Sequence, residues 1–133
     1  MTQRTLQPTA WPRPSGYSNG IVATGQTIFL AGQIGWDPVT RRLAEGMAAQ
    51  VELALRNVVT ILAEAGAQPA DIVRMTWFVT DIEQYRRNGK AIGDAYRSVI
   101  GKHFPTMSVI GVASLVERDA LVEIEVTAVI DGG

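Results

Sequence analysis

"LVEIEVTAVI", Leu121–Ile130, alternates without a break. Val122, Ile124, Val126, Ala128 and Ile130 fall on one side of an extended chain, and Leu121, Glu123, Glu125, Thr127 and Val129 on the other. The pattern is that of a strand with one apolar face for a core and a second face carrying two acids. Strand geometry puts Glu123 and Glu125 about 7 Å apart at Cα on that second face. Two readings of the acids stand open. They are a solvated or oligomer-facing pair, the commoner use of such residues, or one of them is a proton carrier in a cleft.

A strand needs partners. "GIVATGQTIFLAGQI", 20–34, holds two short apolar runs separated by Gly25-Gln26, which predicts a hairpin of strands over about 19–24 and 27–35. Asp37-Pro38 marks a turn after it. "DIVRMTWFVTD", 71–81, is rich in β-branched and aromatic residues and reads as a further strand. "MSVIGVASL", 107–115, reads as another, with "VERDA" as the turn into the last. Between the strands the period changes. From Leu43 to Ala65, Met47, Val51, Ala54, Leu55, Val58 and Leu62 recur at helical spacing, and Gly66 supplies the stop. Asp81 is placed to cap a second helix running to about Ile100, with Tyr85, Ile92, Tyr96 and Val99 inward. Gly89 and Gly93 weaken that helix enough to separate its first turns. Residues 1–20, rich in Pro, Gly, Ser and Thr, read as an extended arm. The order is β-β-α-β-α-β-β. It predicts an α+β fold, a mixed sheet with two helices on one face, leaving the other face to be covered or solvated.

The 133 residues form one domain by size, 1–133. A net charge of −1 with no basic stripe gives nucleic-acid binding little support. Cysteine is absent, so thiolate catalysis and disulfides are excluded. The single histidine, His103, rules out a His-rich metal site and is itself more often a turn residue than a catalyst. No apolar run approaches membrane-spanning length and the N-terminus lacks a signal-like apolar region, so the reading is a cytoplasmic protein with no membrane partner.

Several segments then act together. "SGYSNGIVATGQTIFLAGQIGWDP", "AAQVELALRNVVTILAEAGA", "DIVRMTWFVTDIEQY", "FPTMSVIGVASL" and "VEIEVTAV" follow one another over nearly the whole chain. The ordered set resembles the RidA/YjgF family, the reactive-intermediate (enamine/imine) deaminases. The resemblance implies a chorismate-mutase-like fold and a homotrimer with small-molecule clefts between subunits. It also implies hydrolysis of an enamine or imine to a carbonyl and ammonia, a C–N hydrolase chemistry needing no metal or organic cofactor. Residue by residue, the family's cleft tyrosine falls on Tyr17, its ligand-contacting glycine on Gly32, and its water-positioning glutamate on Glu123. An asparagine of the second helix falls near Gly93, with Asn88 as a displaced substitute. The arginine of the strand start becomes Met107, and the small polar residue two further on becomes Val109.

That arginine clamps a substrate carboxylate with paired charge-assisted hydrogen bonds, which methionine cannot make. Losing such a clamp costs roughly 2–5 kcal/mol. The expectation is a deaminase turned away from simple 2-imino acids, its pocket lined by Tyr17, Gly32, Met107, Val109 and Trp36, with Glu123 as the base. The alternative is a non-catalytic ligand-binding or regulatory trimer of the same fold. A ribonuclease or translation inhibitor is least supported, for want of a basic patch. Simpler roles stay open for each residue: Tyr17 and Trp36 in subunit packing, Gly32 at a bulge, Met107 in the core.

Overall fold

The computed structural model describes residues 3–132. The chain runs β1 (Gln3–Leu6), β2 (Gly20–Ala23), β3 (Gln26–Ile34), α1 (Met47–Glu64), a 3-10 turn at Pro69–Asp71, β4 (Ile72–Val79), α2 (Ile82–Arg87), α3 (Gly89–Val99), β5 (Thr106–Gly111) and β6 (Val122–Ile130). β3, β6, β4 and β5 form one sheet in that order; β1 and β2 form a separate two-stranded ribbon. β6 is antiparallel to both neighbours, while β4 and β5 are parallel. The α+β class and mixed sheet agree with the sequence reading.

The expected hairpin does not form. β2 pairs antiparallel with β1, Gln3 opposite Ala23, and β3 takes β6 as its partner. Between the two strands, Gly25 (φ +141°) lies so close to β6 that a Cβ would stand 2.0 Å from the Ile130 carbonyl oxygen. Here the chain crosses against the end of β6 instead of folding back on itself. The arm predicted over residues 1–20 is therefore partly a strand, and the strand count rises by one.

The apolar face of β6 is buried as the alternation requires: Val122, Ile124, Val126 and Ala128 are almost fully covered. They pack with Met75, Trp77 and Val79 of β4 and with Val51, Leu55, Val58 and Leu62 of α1. α1 begins at Met47, four residues later than read, because Gly46 takes a left-handed φ of +94° and Leu43 forms a backbone bridge with Trp36. Its end is as predicted. Gly66 (φ +71°) follows the last turn, and the Ala67 amide donates to the Leu62 carbonyl. Asp81 caps α2 through the Gln84 amide at 3.0 Å. The second helical stretch splits at Asn88, whose own amide donates to the Gln84 carbonyl. β5 stops at Gly111, so the strand read over 107–115 is shorter than expected. No helix among the described residues is long and apolar enough to cross a membrane.

Candidate functional site

β3 carries a bulge between Leu30 and Gln33. Leu30 lies opposite Val126 on the helix-covered face, and Ile34 opposite Glu123 on the open face. The extra residue changes the phase of the strand, so Gly32 turns to the open face with Glu123. A Cβ on Gly32 would lie 2.6 Å from Cδ and 2.7 Å from Cγ of Glu123. The glutamate side chain, half-buried, therefore lies across bare backbone. Glu125 is opposite Thr76 on the same face and is exposed.

Two polar residues on the apolar face of α1 hold this region. Gln50 accepts from the Leu121 amide at 2.8 Å and donates to the carbonyls of Ala44 and Asp119. Asn57 donates to the carbonyls of Ile34 and Trp36. One fixes the start of β6, two residues before Glu123; the other fixes β3 two residues beyond Gly32. Both side chains are buried. The sequence reading passed over them, although their spacing of seven on an otherwise apolar helix face marks two polar groups turned inward.

Tyr17, Met107 and Val109 meet elsewhere. They line a recess of about 370 Å3 together with Ser15, Gly16 and Tyr85. Ser18 ties Tyr17 to this place: its hydroxyl donates to the Phe104 carbonyl at 2.6 Å and its amide to the Pro105 carbonyl at 3.0 Å. Thr106 is fixed in turn by a 2.6 Å hydrogen bond to the Val73 carbonyl. In the parallel register Met107 stands opposite Met75 and Val109 opposite Trp77. Both are therefore on the helix-covered face, at the β5 edge.

The expected site thus falls into two clusters in one chain. From Glu123 the register passes to Phe78 and then Ile110, three residues along β5 from Met107. Strand spacing and rise put Glu123 and Met107 about 14 Å apart at Cα, and they face opposite ways. Trp36 joins neither cluster. It sits beyond β3, half-buried, with the Arg41 guanidinium 6.0 Å from its ring centroid. His103 bonds the Ile72 carbonyl through Nε2 at 2.7 Å, and its own carbonyl accepts from the Tyr96 hydroxyl at 2.6 Å. That is a structural role. Met107 lines three recesses; Asn88 borders none of them, and Gly93 borders the one walled by Trp77, Tyr85 and Tyr96. Burial raises the Tyr96 and Tyr85 phenols above the ordinary tyrosine range, so both stay protonated at neutral pH. Among the described residues no group of three or more His, Cys, Asp or Glu side chains is placed to hold a metal ion.

Fold and site define an α+β protein with a mixed sheet and small-molecule-sized recesses at its edge. The model of the family described as Endoribonuclease L-PSP matches residues 9–130. A RutC family protein of Aquifex aeolicus is 38% identical over 119 residues, covering 89% of this chain and 92% of that one. A protein of Dermatophagoides farinae named 2-iminobutanoate/2-iminopropanoate deaminase is 31% identical, covering 90% and 91%. The crystal structure of a conserved Rid family protein from Yersinia pestis superposes with a TM-score of 0.84 at 32% identity, covering 98% of this chain and all of that one. The chain belongs to this family, the RidA/YjgF proteins.

Proposed function

We propose that this protein hydrolyses a reactive imine or enamine to a carbonyl compound and ammonia, in clefts shared between copies of the chain in a homotrimer. The observation that carries the reading is the Glu123 side chain laid across Gly32 on an open sheet face. A carboxylate held there accepts a proton from water as the water's oxygen attacks the electrophilic carbon. The carbinolamine then breaks its C–N bond, and nitrogen leaves as ammonia with the transferred protons. The relative named 2-iminobutanoate/2-iminopropanoate deaminase supports the reaction class.

Distance supports the shared cleft. No small substrate reaches from Met107 to Glu123 within one chain, across about 14 Å and through the sheet. A second copy bringing its Glu123 to the Tyr17–Met107 recess completes the site. The open face supports such packing, since Phe29 is 79% exposed and Ile110 is 44% exposed there. Met107 supports a specificity away from simple 2-imino acids, because its wall of the recess is neutral and apolar.

A nucleic-acid substrate is less well supported. Arg56, Arg86, Lys90 and Arg97 are each paired with an acid on their own helix. The same absence of a guanidinium at position 107 favours a second reading, a ligand-binding trimer without turnover. Ammonia release from a panel of freshly generated imines separates the two. Hydrolysis above the uncatalysed rate, lost in Glu123→Gln, is the result expected of the deaminase; a panel-wide silence with retained ligand binding is the result expected of the binding trimer. Mass photometry reads the assembly, and a monomer would remove the shared cleft.

A further inference from the structure

Behind Met107 lies a second cavity of about 230 Å3 between β4 and the α2–α3 pair. Its walls include Trp77, Tyr85, Ile92, Tyr96, Phe104 and Met107. The aromatic rings form a connected wall: Trp77 meets Tyr85 edge-on at 6.4 Å and Tyr96 at 6.3 Å, and Tyr96 stacks on Phe104 at 5.9 Å. This cavity and the Tyr17 recess share Gly16, Tyr85 and Met107 as walls. The two are therefore neighbouring chambers with Met107 between them.

Size, lining and charge of the inner chamber agree on its occupant. An apolar cavity of about 150 Å3 already admits benzene, and this one is larger. Aromatic walls favour a flat ring in stacked or edge contact. The cations at its rim, Arg86 and Arg97, each stand in an exposed ion pair on their own helix, with Glu83 and Asp94. Trp77 is 1% exposed, and its indole N–H is the one buried side-chain polar atom without a partner among the described residues. An arginine at 107 would set a guanidinium in the wall common to both chambers; methionine leaves that wall apolar.

We propose that the inner chamber binds the side group of the substrate and that this group is aromatic, making the protein selective for aryl-bearing imines or enamines. That the bound molecule is an imine rests on the deaminase reading; that the chamber takes an aryl group does not. The probes are phenylpyruvate and 2-oxobutanoate, carbonyl products of an aromatic and an aliphatic imine with the same carboxylate. Their affinities are measured by calorimetry on the intact oligomer of wild type, Ile92→Trp and Met107→Arg. Ile92→Trp fills the chamber from α3. Met107→Arg, at a half-buried edge position, charges the shared wall and serves if the first variant does not fold. Wild type is expected to hold phenylpyruvate at least about tenfold tighter than 2-oxobutanoate, with the preference falling to about threefold or less in either variant. Equal affinities in wild type, or a preference kept in both variants, would overturn the proposal. Ammonia release, read in parallel, tests the deaminase reading separately. Aryl preference without hydrolysis of any imine would sink that reading and leave the chamber assignment standing. Hydrolysis of the aliphatic imine without aryl preference would do the reverse.

Discussion

Gly32 and Glu123 are a matched pair: the glycine sits at the bulge of β3, and the glutamate side chain occupies the space its Cβ would fill. The contacted atoms are at the far part of a flexible side chain, so an added methyl displaces them without breaking the sheet. Gly32→Ala is accordingly expected to fold with a urea midpoint close to wild type, within about 1 kcal/mol. Its imine hydrolysis should fall about as far as that of Glu123→Gln. A loss of activity matched by an equal collapse of stability would show the glycine to be structural only.

Glu123→Gln keeps the shape and removes the proton acceptor. Loss of a positioned base lowers turnover by about 10²–10⁴-fold. Glu125→Gln, two residues on, exposed and opposite Thr76, is expected to stay within about twofold of wild type. Steady-state kinetics on one imine for both variants separates the acids, which the alternation alone left equivalent.

Gln50→Ala removes the acceptor of the Leu121 amide and the donor to two carbonyls. A buried amide left unpaired costs about 1–3 kcal/mol, which denaturant titration reads directly. Because Leu121 precedes Glu123 by two residues, turnover should drop further than stability alone explains. An unchanged midpoint would mean that water replaces the glutamine.

Burial raises the Tyr96 phenol in the folded state above its unfolded value. Its neutral form is what the fold stabilises. That contribution is complete below the ordinary tyrosine pKa near 10 and is lost as pH rises from there through the folded value. Wild type should therefore weaken in alkali. Tyr96→Phe should be less stable at pH 7 by about 1 kcal/mol, for the lost bond to His103, and should show a flatter decline above pH 10. Parallel stability curves for the two proteins from pH 8 to pH 11 would contradict this.

The local patterns in the sequence were good guides to whatever local patterns control. The alternation of Leu121–Ile130 named its buried face, and the spacing from Met47 to Leu62 named that of α1. Asp81 and Gly66 marked helix ends because caps are short-range chemistry. The rest depends on distant partners. Nothing in Gln3–Leu6 announces that it will pair with Gly20–Ala23, so the ribbon was read as an arm and its partner as half of a hairpin. That Met107 faces the helices while Glu123 faces away is set by the parallel register Met75–Met107, a pairing across 32 residues. The family resemblance located Tyr17, Gly32 and Glu123 individually. It did not show that one chain keeps them in two places.

That separation makes the shared cleft the claim most worth testing. Two variants are made, Glu123→Gln, with an intact Tyr17–Met107 recess, and Val109→Trp, which fills the recess and leaves Glu123 untouched. Each alone should be nearly inactive on the imine that wild type hydrolyses fastest. After the two are unfolded together and refolded as an equal mixture, about a quarter of the clefts combine an intact recess from one chain with an intact Glu123 from another, the random share in a cyclic oligomer. Ammonia release at about a quarter of the wild-type rate is the predicted result. A mixture no more active than its components, from chains shown to have co-assembled, would contradict the account.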